Sequence, residues 1–315
     1  MSTVLLLGAS GFLGRHVRAL LSTSVDLICP SHDECDLVRS DVAALTRKLR
    51  RYRADAVVNC AGRVTGTGTD LVEAHTVATG KLIEAMAGAT PLARLIRLGS
   101  AAEYGPVPEP QAVRETDHAA PVSEYGISQL AATRLTEIAA ADGRLDTVVL
   151  RVFNPVGPGL PETNVLGRAG MLLRTALRRG TEHVEMGLLP SHRDFVDVRD
   201  VALAVGYALR PADLTHRVIN IASGRAVSIR DAIELLARTA GFDGEIRDGS
   251  YHPTAARSAA VPWMRADVSR AFDALGWTST HDLGESLKLL WADDSRQPPR
   301  PKETAWHRRA TEERA

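Results

Sequence analysis

Apolar residues in the first half of the chain fall in short runs, and the stretches between them carry helical composition. Val4 to Leu7 is the first run, and four apolar residues in succession suit a strand buried on both faces. A helix is expected from Arg15 to Leu21, a strand at Val25 to Cys29, a helix at Leu45 to Tyr52 and a strand from Ala56 into Cys60. A loop through Thr65-Gly66-Thr67-Gly68-Thr69 then leads to a helix at Glu73 to Ala89 and a strand at Leu95 to Leu98. Glu124 to Ala141 reads as helix and Thr147 to Val152 as strand. This alternation predicts an α/β fold, a Rossmann-like parallel sheet covered by crossover helices.

From Phe153 the pattern loosens. The prolines of Asn154-Pro155-Val156-Gly157-Pro158-Gly159-Leu160-Pro161 forbid an uninterrupted helix, so this stretch is expected to be a substrate-facing loop. Leu166 to Arg179, Asp200 to Leu209 and Ser228 to Ala240 are the later helix candidates, with Ser228 as a cap. Arg193 to Val198 should be extended, and Val218 to Ile221 a strand. Three regions follow: residues 1–153, mainly dinucleotide-binding; residues 154–294, mainly a smaller C-terminal substrate-binding lobe with elements returning to the core; and a polar, proline-containing tail at 295–315.

Candidate chemistry starts at the first strand. Gly8, Gly11 and Gly14 follow it at once and open the first helix, which is the context that lets backbone N–H groups approach a dinucleotide pyrophosphate. Gly8, Ser10, Gly11, Phe12, Leu13 and Gly14 are therefore cofactor-binding candidates. The second strand ends at Cys29-Pro30-Ser31-His32 without the acidic residue that often binds the adenine ribose of NAD. Ser31 and His32, with Arg15 or Arg39, could accommodate the extra phosphate of NADP(H), so NADP(H) is favoured and NAD(H) is second. Ala61, Gly62 and Val64 should border the cofactor at the sheet edge.

Composition narrows the classes. Lys plus Arg equals Asp plus Glu at 38 each, so net charge gives no reason to expect nucleic acid or an anionic membrane as partner. No apolar run approaches a membrane span and the start lacks a signal-peptide pattern, which leads to a cytoplasmic expectation. Cys29, Cys35 and Cys60 form no metal-like cluster and read as reduced thiols. His183 and His192 lack accompanying carboxylates or thiols, so no metal is assigned.

Further blocks carry a resemblance. Gly99-Ser100-Ala101-Ala102-Glu103-Tyr104-Gly105, Tyr125-Gly126-Ile127-Ser128-Gln129, Arg151-Val152-Phe153-Asn154-Pro155 and Arg193 to Asp200 resemble the extended short-chain dehydrogenase/reductase family, especially its enzymes for nucleotide-linked sugars. The Ser100 block and Asn-Pro-Val-Gly-Pro-Gly look most like reductases of GDP-4-keto-6-deoxy-D-mannose. Arg257 to Pro262, Ala266 to Ser269 and Leu275 to Trp277 extend the likeness from about residue 4 to about residue 291.

The resemblance implies catalysis by Ser100 and Tyr125. Tyr125 would protonate an oxygen whose carbon receives hydride, and Ser100 would donate a hydrogen bond to the same oxygen. It also implies adenine contacts from Asp36 and Leu37, and a nucleotide-diphosphate sugar held by Asn154, Arg193 and Arg257. A homodimer is implied as well, with Leu82, Ile83, Leu130 and Leu135 at its seam.

Two departures sharpen the activity. The acidic pair that related dehydratases carry after the serine is Ala101 and Ala102 here, which removes the groups dehydration needs. Gln129 stands where the family has lysine in Tyr-X-X-X-Lys; it can bond ribose hydroxyls of the cofactor but has no charge to favour tyrosinate. The nearest lysine in sequence is Lys81, outside this helix, and a spatial replacement by an arginine stays open. Ketone reduction with NADPH is therefore the expected activity. An NAD(P)-dependent nucleotide-sugar 4-epimerase and a catalytically weak nucleotide-sugar-binding protein are the alternatives.

Overall fold

The computed structural model describes residues 2–187, 189–210, 214–249 and 261–293. Strands β1 (Thr3–Leu7), β2 (Asp26–Ile28), β3 (Ala56–Asn59), β4 (Arg94–Ser100) and β5 (Thr147–Val152) form at the predicted apolar runs. Then come β6 (Pro155–Val156), β7 (His183–Met186), β8 (His192–Asp194), β9 (Val196–Asp197), β10 (Val218–Ile221), β11 (Ala226–Ser228) and β12 (Glu245–Asp248). A six-stranded parallel sheet runs in the order β10-β5-β4-β3-β1-β2. Strand order reverses between β1 and β3, which opens a crevice at their C-terminal ends, where α/β sheets bind ligands.

Helices cover both faces, as the unbroken apolar runs require. On one face Val4, Leu6, Val58, Ile96 and Val148 pack with α1 (Phe12–Leu21) and α7 (Val198–Ala208) through Val17, Leu21, Val201 and Val205. On the other, Leu5, Leu7, Val57 and Leu95 pack with α2 (Val42–Tyr52) and α4 (Ala78–Ala89) through Leu45, Leu49, Leu82 and Met86. Leu82 and Ile83 are 0% and 3% exposed, which corrects their placement at a subunit seam. They face the core because the apolar stripe of α4 is consumed by the sheet. Next to α4, α5 (Glu124–Ala141) leaves Ile127, Leu135 and Ile138 exposed.

A second core belongs to the later part of the chain. There α6 (Val165–Arg179), α8 (Ile229–Ala240) and the helix Leu283–Ala292 enclose Leu173, Ile233, Leu236 and Leu287 against Val184 of β7 and Ile246 of β12. These two strands pair parallel to each other, apart from the main sheet.

Three local differences from the sequence reading have identifiable causes. The helix expected from Glu73 starts earlier, as α3 (Gly68–Val72), because Thr67 and Asp70 bond each other's backbone N–H groups in a capping box. A π-helical turn at Glu73–Val77 then joins it to α4. The extended segment around Arg193 is two strands: β8 pairs antiparallel with β11 and β9 pairs parallel with β6. The helix α7 starts at Val198 rather than Asp200, since the Asp197 side chain accepts the Arg199 N–H and ends the strand as its cap.

Buried carboxylates tie the two cores together. Asp200, fully buried, accepts from Ser279 and Thr280 hydroxyls and from the N–H groups of Thr280 and His281. Asp194, also fully buried, accepts from Ser223 N–H and hydroxyl, Gly224 N–H and Ala266 N–H. Burial pushes the Asp194 carboxyl up to about 6 against the pull of those donors. Among the described residues no helix is long and apolar enough to cross a membrane.

Candidate active site

A cleft of 460 Å³ lies at the C-terminal ends of the central strands, between the sheet and the later lobe. Its sheet side is a backbone lip. Gly11, Phe12 and Leu13 line it, with Ala61, Gly62 and Val64 after the adjacent strand β3. Gly11 caps α1 without any side-chain hydrogen bond, so the first-turn N–H groups are left for an anion. A Cβ at Gly14 would stand 2.0 Å from the Gly8 carbonyl oxygen, so only glycine lets α1 pack this tightly on the turn. Ser10 is exposed on the same turn, while Gly8 and Gly14 shape it from behind. These residues fit a dinucleotide pyrophosphate.

Beyond β2 the chain is organised around Asp36. Its Oδ1 accepts the N–H groups of Val38 at 2.8 Å and Arg39 at 2.9 Å, and His32 Nε2 lies 3.2 Å from Oδ2. Burial works to raise the Asp36 carboxyl, but those N–H groups and the nearby His32 and Arg39 hold it below the usual range. Ser31 is exposed and exchanges hydrogen bonds with Glu34, and Leu37 is buried against the sheet. None of Ser31, His32, Asp36 and Leu37 lines the cleft itself.

Opposite the lip, Ser100, Tyr125 and Gln129 all line the cleft. Ser100 ends β4 and caps a single 3₁₀ turn, Ala101–Glu103: its Oγ accepts the Ala102 N–H, and its own N–H donates to Glu103 Oε1 at 3.0 Å. Tyr125 sits in the first turn of α5, where Ser123 is the cap. The helix can approach the Ser100 turn because residue 126 is glycine; a Cβ there would lie 2.4 Å from the Ala102 carbonyl oxygen. Thus Tyr-Gly brings the two hydroxyl-bearing elements together.

Beneath this pair lies a buried ionic layer. Glu103, fully buried, accepts from Arg151 Nε at 2.8 Å, and Arg151 stacks 4.6 Å from the Tyr104 ring centroid. Arg97, 3% exposed, donates through Nη1 to Thr133 Oγ1 at 3.2 Å and through Nη2 to Gln129 Oε1. Burial draws the Arg97 guanidinium below its ordinary value, while the fields of Glu103 and Tyr125 oppose that and Arg151 adds to it.

His75 completes the surroundings. It is carried by the π-helical turn, and its ring meets Tyr125 edge-on with centroids 5.4 Å apart. Nε2 accepts the Arg63 N–H, so Nδ1 carries the proton and donates to Ser128 Oγ at 2.9 Å. Burial and, second, Arg97 push His75 down to about 4, keeping the ring neutral.

The later lobe supplies polar groups facing this wall. Asn154 Nδ2 donates to the Asp194 carbonyl at 2.9 Å, and Arg193 Nη1 donates to the His192 carbonyl at 2.7 Å. Burial lowers Arg193 to about 10. Arg168 of α6 also lines the cleft. Arg257 lies outside the described residues. His192 packs against Trp263, ring centroids 5.2 Å apart.

Residues 4–222 match the model of the NAD dependent epimerase/dehydratase family. The chain belongs to this family. Among curated members, dTDP-6-deoxy-L-talose 4-dehydrogenase (NAD(P)(+)) of Kitasatospora kifunensis is 37% identical, over 94% of this chain and 96% of its own length. GDP-6-deoxy-D-mannose reductase of Pseudomonas aeruginosa is 28% identical, over 91% and 95%. A solved structure of RMD from Pseudomonas aeruginosa complexed with NADPH superposes with a TM-score of 0.83 at 26% identity, covering 94% of this chain and all of that one.

Within this epimerase/dehydratase fold, Ser100, Tyr125, Gln129, Asn154 and Arg193 meet in one cleft although they come from separate blocks of sequence. Sequence reasoning missed Arg97, His75 and Arg168. An arginine inside an apolar strand, in Arg94-Leu95-Ile96-Arg97-Leu98, was the available signal for Arg97. Nothing local marks His75.

Proposed function

We propose that this chain is an NAD(P)-dependent ketoreductase that uses NADPH to reduce the C4 carbonyl of a nucleotide-linked 4-keto-6-deoxyhexose. The observation that carries this reading is the convergence of Ser100, Tyr125 and Gln129 on one cleft, with Ala101 and Ala102 beside them in place of carboxylates. Two curated relatives support it, both names placing redox chemistry on a nucleotide-linked 6-deoxyhexose, the first at carbon 4, while UDP-glucose 4-epimerases at 25–28% identity stand behind the epimerase alternative. The 37% identity to the dTDP-sugar enzyme, against 28% to the GDP-sugar enzyme, moves the favoured carrier from GDP to dTDP.

The backbone lip Gly8–Gly14 takes the pyrophosphate, and Gln129 offers its amide to the nicotinamide ribose. When bound there, reduced nicotinamide supplies a hydride, two electrons with one hydrogen, to the carbonyl carbon. Tyr125 gives its hydroxyl proton to the oxygen as negative charge develops on it, and the phenolate left behind regains a proton from solvent. Ser100 donates a hydrogen bond to the same oxygen. Asn154, Arg193 and Arg168 face the sugar nucleotide, the two arginines neutralising its diphosphate. Ser31, His32 and Arg39, around Asp36, surround the adenosine end of the cofactor.

Incubation with NADPH and a panel of dTDP- and GDP-linked 4-keto-6-deoxy sugars should oxidise one NADPH for each alcohol formed. Folded, NADPH-binding protein that turns over no member of the panel overturns the reading. Stereochemical inversion without net cofactor consumption would assign the epimerase alternative instead. We further propose a homodimer through the exposed apolar residues Ile127, Leu135 and Ile138 of α5, beside Val72 and Val77. A monomeric mass at every protein concentration rejects it.

A further inference from the structure

We infer that Arg97 is a positioning residue that supplies, from strand β4, the positive charge that the lysine of Tyr-X-X-X-Lys would bring, with Gln129 relaying its orientation to the cleft. The inference rests on the reading of Tyr125 as proton donor. Its geometric basis is the fork of bonds from one guanidinium to two residues one helical turn apart, Gln129 and Thr133. An arginine carries only donors, so the atom of Gln129 that meets it must be the carbonyl Oε1. This fixes the amide: Nε2 becomes the group that Gln129 presents at the cleft. A hydrogen-bond donor therefore stands where a lysine would put one, and the charge stands one residue behind it.

On the elements packed against Tyr125, one cation is left in excess among the described residues, while Arg193 and Arg168 line the cleft from the later lobe. Arg97 comes from β4, Arg151 from β5 and Glu103 from the turn after β4; Glu103 is paired with Arg151. His75, edge-on from the π-helical turn, is neutral. Glu124 precedes Tyr125 on its own helix and is exposed, and Arg63 at the rim pairs with Asp70 at 3.5 Å. Arg97 is thus the buried charge left on this wall to favour the phenolate that forms when Tyr125 gives up its proton.

This arrangement also explains why residue 129 is not lysine. An ammonium there would face the Arg97 guanidinium inside the protein, two like charges beside a carboxylate, Glu103, that is already paired with Arg151. Arg97 with Gln129, and an uncharged residue with lysine, are then alternative ways to hold a single cation beneath the tyrosine.

The test needs neither cofactor nor sugar. The phenolate of Tyr125 is followed by ultraviolet absorbance in a pH titration of the full chain, subtracting the same titration of Tyr125→Phe in each background. Arg97→Met should move the appearance of this phenolate up by about one pH unit, and adding Gln129→Lys to Arg97→Met should bring it back. Gln129→Glu keeps the hydrogen bond to Arg97 but cancels its charge, and should shift the titration upward as Arg97→Met does. That variant carries the test if Arg97→Met does not fold. An Arg97 that only supports packing would lower the melting temperature and leave the midpoint in place, and an unmoved midpoint in the folded variants overturns the inference. In turnover assays the alcohol-oxidation kcat should fall roughly 30-fold in Arg97→Met and recover to within about threefold of wild type in the double variant. A shifted titration without turnover of any nucleotide sugar would count against the reductase reading and leave the role of Arg97 standing.

Discussion

The two walls of the cleft are built from different materials. The lip from Gly8 to Gly14 is backbone, set by residues adjacent in sequence, and its binding groups are N–H groups at a helix start. The wall bearing Ser100, Tyr125 and Gln129 is made of side chains whose states depend on distant partners. Arg97 and Gln129 are 32 positions apart, Arg151 and Glu103 48, and His75 and Ser128 53. A backbone site is robust to side-chain change and intolerant of a Cβ; a side-chain site of coupled charges responds to single-atom replacements.

Five measurements press on that contrast, beginning with the largest effect. Tyr125→Phe should lower the reduction rate about 1,000-fold while NADPH affinity, measured by calorimetry, stays within about threefold, since the lip is untouched. Glu103→Gln leaves Arg151 buried without its counter-charge and should cost about 3 kcal/mol in urea unfolding. A loss below about 1 kcal/mol would show that the ionic layer is not the framework of this wall. Gly14→Ala forces the lip apart and should weaken NADPH binding roughly 50-fold, equivalent to about 2.3 kcal/mol.

The next effect is carried by pH. His75 is held down to about 4 in the fold, whereas in the unfolded chain it titrates near its ordinary 6.5. Its contribution to stability is therefore complete above about pH 6.5 and is lost as pH falls through that value towards 4, because only the unfolded chain takes up the proton. Between pH 7 and pH 5 wild type should lose about 2 kcal/mol more than His75→Gln, read by urea unfolding at both pH values. Equal losses would mean that the ring is not held neutral. The smallest effect is expected on the lip: Ser10→Ala should change NADPH affinity less than about threefold, since its exposed side chain is not part of a backbone site.

The same contrast explains what could be read from the sequence. The alternation of strands and helices, the glycine turn and the positions of Ser100 and Tyr125 follow from contiguous patterns, and the fold places them in one sheet and one cleft. Gln129 was visible as a departure, but its compensation was not, because Arg97 is an odd member of an apolar strand until the sheet sets it under α5. The early start of α3 was hidden by Thr-Gly repeats that resemble a loop, and the capping box was legible only in Thr67 and Asp70. Short strands such as β6, β9 and β11 lack any periodicity of their own, being two or three residues pinned by partners elsewhere in the chain. Leu82 and Ile83 could have served either a core or a seam, and helical spacing does not distinguish the two.

The hydrogen bonds to Asp194 have an entropic consequence for the residue beside it. Arg193 belongs to a three-residue strand, and short strands are ordinarily free to fray. Here the neighbouring Asp194 joins that strand to the Ser223–Gly224 turn and to Ala266 through its carboxylate, and to Asn154 through its carbonyl. The backbone freedom around Arg193 is thus surrendered during folding, before any anion arrives. Under the proposed function, a diphosphate entering the cleft would meet a guanidinium whose strand is already ordered, so association would lose less disorder and more of the contact energy would survive as affinity.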